Sequence, residues 1–172
     1  MMAVMSLLSG CSKKSAEKFY GMLTDTEIDC ETLFMSGDSS IWERQQTIDR
    51  LSQLKSVILV ATQVIEAGVD IDMDIGYKDC SKLDSEEQFM GRINRSCKGE
   101  GIVYFFNLDS ARMVYKDGDI RVDTEFTVMK TDMQEILRTK NFSDYYGEIL
   151  EIERNNKKSE NENNIVHFFK KE

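Results

Sequence analysis

Five consecutive apolar residues, Val57-Ile-Leu-Val-Ala61, constrain this chain more than any other feature. A strand with one wet face alternates apolar and polar positions. A run with no polar position needs both faces covered, the condition of an interior strand in a parallel sheet flanked by helices. The surrounding pattern agrees. Upstream, Ala3–Leu8 and Cys30–Met35 read as strands, and Lys13–Leu23 reads as a helix capped by Ser12. Ile41, Ile48, Leu51 and Leu54 form one helical stripe after the capping residues Asp38 to Ser40, and that stripe reads as core. Trp42, the single tryptophan, reads as packing at the start of that helix in preference to stacking on a base. Downstream, Asp72–Tyr77 is a weaker strand, Ser85–Asn94 a helix and Gly101–Phe106 another buried strand. Strands alternating with helices in this order predict an α/β fold, a parallel sheet of about five strands with helices on both faces.

Beyond Asp109 the pattern changes. Met113–Val122 reads as a hairpin about an Asp117-Gly118 turn, followed by helices over Thr131–Lys140 and Ser143–Arg154. Residues 155–164 are polar and low in complexity, and Ile165–Phe169 is a short apolar ending. The expected organisation is an α/β lobe over 1–110, a hairpin and helical extension over 111–154, and a flexible tail over 155–172. A chain of 172 residues is long enough to bury a core of this kind.

Bulk chemistry excludes several classes. A net charge of −9 argues against a free-standing nucleic-acid binder, though not against a module whose partner carries the positive surface. Cys11, Cys30, Cys80 and Cys97 form no C-x-x-C pair and His167 is the one histidine, so no metal site is expected and reduced, cytoplasmic thiols are. No apolar run approaches the ~18 residues of a membrane span. Leu8-Ser-Gly-Cys11 looks like a lipoprotein cleavage box, but no Lys or Arg precedes it, and a first strand is the preferred reading.

Two runs carry chemistry. Ile58-Leu-Val-Ala-Thr-Gln-Val-Ile-Glu-Ala-Gly-Val-Asp-Ile-Asp72 is an apolar strand ending in a polar, glycine-containing turn. Sixteen residues later comes Gln88-Phe-Met-Gly-Arg-Ile-Asn-Arg95, then the Gly-led strand to Phe106. Turns of this kind aim backbone N–H groups at phosphate. Arg92 and Arg95, three residues apart, would project from one face of a helix, a usual device for stabilising charge on a transferring phosphoryl group. Thr62 and Gln63 directly follow a strand, where ligands of parallel sheets sit.

These runs resemble motifs V and VI of superfamily 2 helicases. Within that superfamily they look most like the second RecA-like lobe of the CRISPR-associated helicase-nuclease of type I systems. The resemblance is strong over 57–110 and looser over the rest of 1–150. It implies that Arg95 is the arginine finger reaching the γ-phosphate of ATP, with Arg92 and Gln88 beside it. Gly68, Asp70 and Gly91 would approach the nucleotide or position the finger. Thr62, Gln63 and Ser36 would contact single-stranded DNA. Two departures stand out: Gly10-Cys11-Ser12 replaces the usual Asn-Thr of motif IV, and Phe89 stands where many relatives carry arginine; Glu66 fits the family pattern but has no derivable role. The chain has no G-x-x-x-x-G-K-[ST] loop, no Asp-Glu run for magnesium and no His-Asp nuclease cluster. The resemblance therefore implies half of an ATP site. The expected companions are a first RecA-like lobe that holds Mg²⁺, a nuclease domain and the CRISPR surveillance complex. Two other readings stay open: a lobe of a recombination or restart helicase, against which Gly-Arg-Ile-Asn-Arg speaks, and a non-catalytic interaction module from a split gene.

Overall fold

A computed structural model describes residues 5–10, 12–65, 69–108, 124–152 and 154–156. The motif V residues Glu66 and Gly68, Cys11, the Met113–Val122 hairpin and the ending at Ile165–Phe169, His167 included, lie outside the described residues.

Five parallel strands form one sheet in the order β2-β3-β1-β4-β5. They are β1 (Met5–Ser9), β2 (Glu31–Met35), β3 (Val57–Ala61), β4 (Ile75–Asp79) and β5 (Ile102–Phe106). Helices α1 (Lys13–Thr24), α2 (Ile41–Gln53) and α3 (Leu83–Met90) make the crossovers. The all-apolar run is β3, hydrogen-bonded on both sides, with Leu59, Val60 and Ala61 fully buried. Both expected caps form. Ser15 N–H donates to Ser12 Oγ at 3.0 Å, and Ser40 and Glu43 close a reciprocal capping box on α2.

Several boundaries differ from the sequence reading, each for a tertiary reason. The Gly101–Phe106 strand is no interior strand: β5 is the sheet edge, and Ile102 and Tyr104 are about half exposed. Strand β4 starts at Ile75, three residues after Asp72, because Met73 is taken by a separate parallel bridge to Ile93. Helix α3 ends at Met90, before the arginines, for the same reason. Within the α2 stripe, Leu51 is buried and Ile48 and Leu54 pack on the core, but Ile41 is 88% exposed. It opens α2, six residues after β2 stops at Met35. Trp42, at 67% exposed, does not pack at the helix start either.

Two apolar clusters hold the described chain together. The larger joins Leu7, Leu59, Ile65, Met73, Phe89 and Ile93 across the sheet. Gly76 of β4 belongs to this contact, because a Cβ there would lie 2.6 Å from the Phe89 ring. The second joins Cys80 and Leu83 to Phe126, Val128, the helix α4 (Thr131–Thr139) and the helical stretch 143–152. Tyr145 is buried there and donates its hydroxyl to Asp84 at 3.0 Å. Asn155 and Asn156 are helical, where a linker was expected. No helix among the described residues is long and apolar enough to cross a membrane.

Candidate functional site

The two motif runs meet in space through backbone pairing. Met73 N–H donates to Arg92 O at 2.9 Å and Asn94 N–H donates to Met73 O at 2.7 Å. This bridge takes the chain out of the helix at Gly91 and turns it through Asn94, whose φ is 47°. The arginines therefore do not share a helix face, as their spacing suggested. They are presented from an extended turn locked to motif V.

Each arginine has a defined partner. Arg92, partly buried, donates its Nε–H to Ile65 O at 3.1 Å and ties motif VI to the 3₁₀ turn Gln63–Ile65. Arg95 extends outward and pairs through Nη1 with the Asp70 carboxylate. The two side chains are 47% and 89% exposed. An ion pair so open to water is weak and exchangeable. Asp72, absent from the expected site residues, proves to be the anchor of the turn. Its two oxygens accept from Arg95 N–H at 2.7 Å and Ser96 N–H at 3.1 Å. Ser96, with those amides, holds the Asp72 carboxyl below the usual carboxylate range. The signal was visible in the Val69-Asp-Ile-Asp72 repeat of acidic residues. Nothing local said which of the two would bind backbone and which a side chain.

Gln88 is exposed on α3 and Gly91 is exposed at its C-cap. Gly91 has φ −65°, so the turn needs no left-handed residue there. Phe89 is fully buried against the sheet, with Lys78 Nζ over its ring at 5.6 Å. Its side chain thus points away from the surface that carries Arg95.

Thr62, Gln63 and Ser36 form a separate group at the carboxyl edge of the sheet. Met35 pairs with Ala61 in the register, so Ser36 and Thr62 follow neighbouring strand ends. Thr62 N–H donates to Met35 O at 3.1 Å, so its amide is committed, and the hydroxyl is the group that remains for a ligand. Ser36 is only 3% exposed and its hydroxyl accepts from Asp38 N–H at 3.3 Å, which makes it part of the loop's own scaffold. The arginine turn lies toward the opposite end, where Asp74 N–H donates to O of Met5, the first residue of β1. The rule that ligands sit at carboxyl ends thus covers Thr62 and Gln63 but not Arg92 and Arg95. Among the described residues, no three His, Cys, Asp or Glu side chains are grouped to hold a metal ion.

Residues 13–98, half of the chain, match the family model for the C-terminal region of the CRISPR-associated nuclease/helicase Cas3. No curated protein sequence matches the chain. Among solved structures it is similar to T. fusca Cas3 with AMPPNP, at 16% identity and TM-score 0.52 over 62% of this chain. That likeness spans 14% of the T. fusca chain. Domain 2 of the DEAD-box helicase Mss116p, bound to an RNA duplex, aligns with TM-score 0.56 and 21% identity, over 70% of this chain and 50% of that one. The C-terminal domain of the DEAD-box protein Dbp5 gives TM-score 0.51 and 22% identity, over 63% of this chain and 64% of that one. The shared fold is the RecA-like α/β domain of helicase C-terminal lobes.

Proposed function

The chain belongs to the family of CRISPR-associated nuclease/helicase Cas3 C-terminal domains, and from this we propose that it is the second RecA-like lobe of an ATP-driven DNA translocase acting in type I CRISPR interference. The observation that carries the reading is the joint between the motif runs: Ile93 paired to Met73, Arg92 on Ile65 O, and Arg95 held by Asp70 and Asp72.

The donor set suits phosphate. It offers two guanidiniums, one of them on an exposed and exchangeable carboxylate, while Asp72 is occupied by two amides. Such a set accepts the oxygens of a nucleotide's phosphates and leaves Mg²⁺ to a partner lobe bearing the phosphate loop. When bound, ATP supplies the phosphoryl group whose transfer drives movement. Arg95 leaves Asp70 as the lobes close and stabilises charge on that group. Arg92 stays on Ile65 O and couples the arginine turn to Gln63, hence to the strand edge. Thr62 grips a phosphate of single-stranded DNA through its hydroxyl, positioning the strand without reading sequence. Gln88 and Gly91 complete the nucleotide wall, and Ser36 shapes the edge loop. A nuclease domain and the surveillance complex are the companions this role requires, in a bacterial or archaeal cytoplasm.

ATP hydrolysis by the chain alone, and after addition of a separately expressed lobe with the phosphate loop, tests this. Turnover only in the mixture, raised by single-stranded DNA, is expected. Turnover by the chain alone, or none from a mixture that co-elutes, contradicts the proposal.

A further inference from the structure

The first turn of α2 exposes two large apolar side chains side by side, Ile41 at 88% and Trp42 at 67%. The support beneath them is rigid. Arg44 donates from Nε to Ser39 O at 2.9 Å and from Nη2 to Gly37 O at 2.8 Å. Ser36 N–H donates to Ser39 Oγ at 3.0 Å, and Asp38 pairs with Lys13 of α1. Trp42 therefore stands out from a loop and helix start that are pinned from both sides, the pre-organisation a binding contact uses.

Phosphate is a poor occupant for this spot. The Glu43 carboxylate accepts from Ser40 N–H at 2.7 Å, and Ser40 Oγ accepts from Glu43 N–H at 3.2 Å. The end of α2 is thus closed by its own side chains and carries a negative charge. A flat, uncharged π-system meets no such objection. Position agrees: the loop leading to Trp42 follows β2, whose last residue Met35 is in register with Ala61, the residue before Thr62. A strand held by its backbone at Thr62 would pass beside this loop.

We propose that Trp42 is a stacking platform for a base of the single-stranded nucleic acid whose backbone follows Thr62 and Gln63, a role that rests on the strand-edge reading above. Stacking on an aromatic face is sequence-tolerant because every base has one. It would give a translocating lobe a hold that does not depend on which base arrives.

Trp42 is the sole tryptophan among 172 residues, so the chain's indole fluorescence reports on this position alone. The experiment titrates the chain, mixed with a tryptophan-free form of the lobe bearing the phosphate loop, with an oligothymidylate of about a dozen nucleotides, within the ~4–16 nucleotides that OB-fold single-strand binders cover, and with an abasic strand of equal length. Expected are quenching by the oligothymidylate and none by the abasic strand. Trp42→Ala should weaken oligothymidylate binding about ten-fold, the loss of one stacked base, and leave abasic binding unchanged; Trp42→Phe should restore most of the affinity. Tyr104→Ala, at the other edge of the sheet, should leave affinity unchanged. Equal binding of both strands, indifferent to Trp42→Ala, overturns the platform and leaves the strand edge standing. An equal loss in Tyr104→Ala also overturns it, since general stickiness would then explain the effect. Binding of neither strand removes the strand edge and the platform together.

Discussion

Asn94 stands at φ 47°, in the left-handed region where a side chain is ordinarily penalised and Asn and Gly are the tolerated residues. Its amide also clamps the loop that follows, donating Nδ2–H to Gly99 O at 2.7 Å and accepting from Gly99 N–H at 3.2 Å. One residue thereby turns the chain between Arg92 and Arg95 and fixes where Arg95 starts. Asn94→Gly keeps the backbone and loses the clamp; Asn94→Val loses both. Thermal unfolding should show Asn94→Val destabilised more than Asn94→Gly by about 1–2 kcal/mol, the cost of left-handed backbone for a side chain. Equal losses would mean that the clamp alone matters. Asp70 and Asp72 show a similar division of labour, one on an exposed guanidinium and one on two backbone amides.

At the scale of elements, the junction between α3 and the extension is the feature that pH should reveal. Glu86 of α3 is fully buried beside Lys78 and under the Val128 segment, and Ser81 N–H donates to its Oε1 at 3.1 Å. Oε2 has no hydrogen-bond partner among the described residues. Burial raises its pKa to about 7 from 4.5, against the opposing pull of the Ser81 bond and the Lys78 charge. The folded state therefore holds a proton that the unfolded chain releases. The associated stability is fully present below pH 4.5 and is lost as pH rises toward 7. Glu86→Gln should remove this slope, so that variant minus wild-type stability grows between pH 4.5 and 7 by up to about 3 kcal/mol. A flat difference in denaturant unfolding across that window would refute a buried, proton-holding Glu86.

Elements also show where sequence reading succeeds and fails. Val57–Ala61 was legible to the residue, because a run without polar positions specifies burial on both faces whatever its neighbours. Ser12 and Ser40 were legible as caps because their partners lie three residues away. The end of α3 was not legible, since the partner that stops it, Met73, lies 20 residues upstream of Ile93. Nor was the edge position of β5: Ile-Val-Tyr-Phe-Phe is as apolar as an interior strand, and only the sheet order exposes one side of it. Ile41 failed for a related reason. A helical stripe shows which face turns inward, but not where the sheet beneath it ends.

For the whole molecule, the described chain presents two separate groups: an arginine turn toward the amino end of β1, and Thr62, Gln63 and Trp42 toward the carboxyl edge. Arg92 connects them by reaching from one motif to the turn of the other. Under the proposed function, closure on ATP at one group would move a strand held at the other. This arrangement also makes sense of the net charge of −9. A lobe that contributes a few contacts to a shared cleft has no need of a basic surface of its own.

Arg95 carries the proposed chemistry, and DNA-stimulated ATP turnover by the chain together with its partner lobe, with Arg95→Ala, is its most direct test. Loss of about 10³-fold or more, with binding of single-stranded DNA retained, is the predicted result and matches the scale of a missing arginine finger. Turnover unchanged from the wild type would contradict it and would leave the Arg95–Asp70 pair as a surface contact without a part in the chemistry.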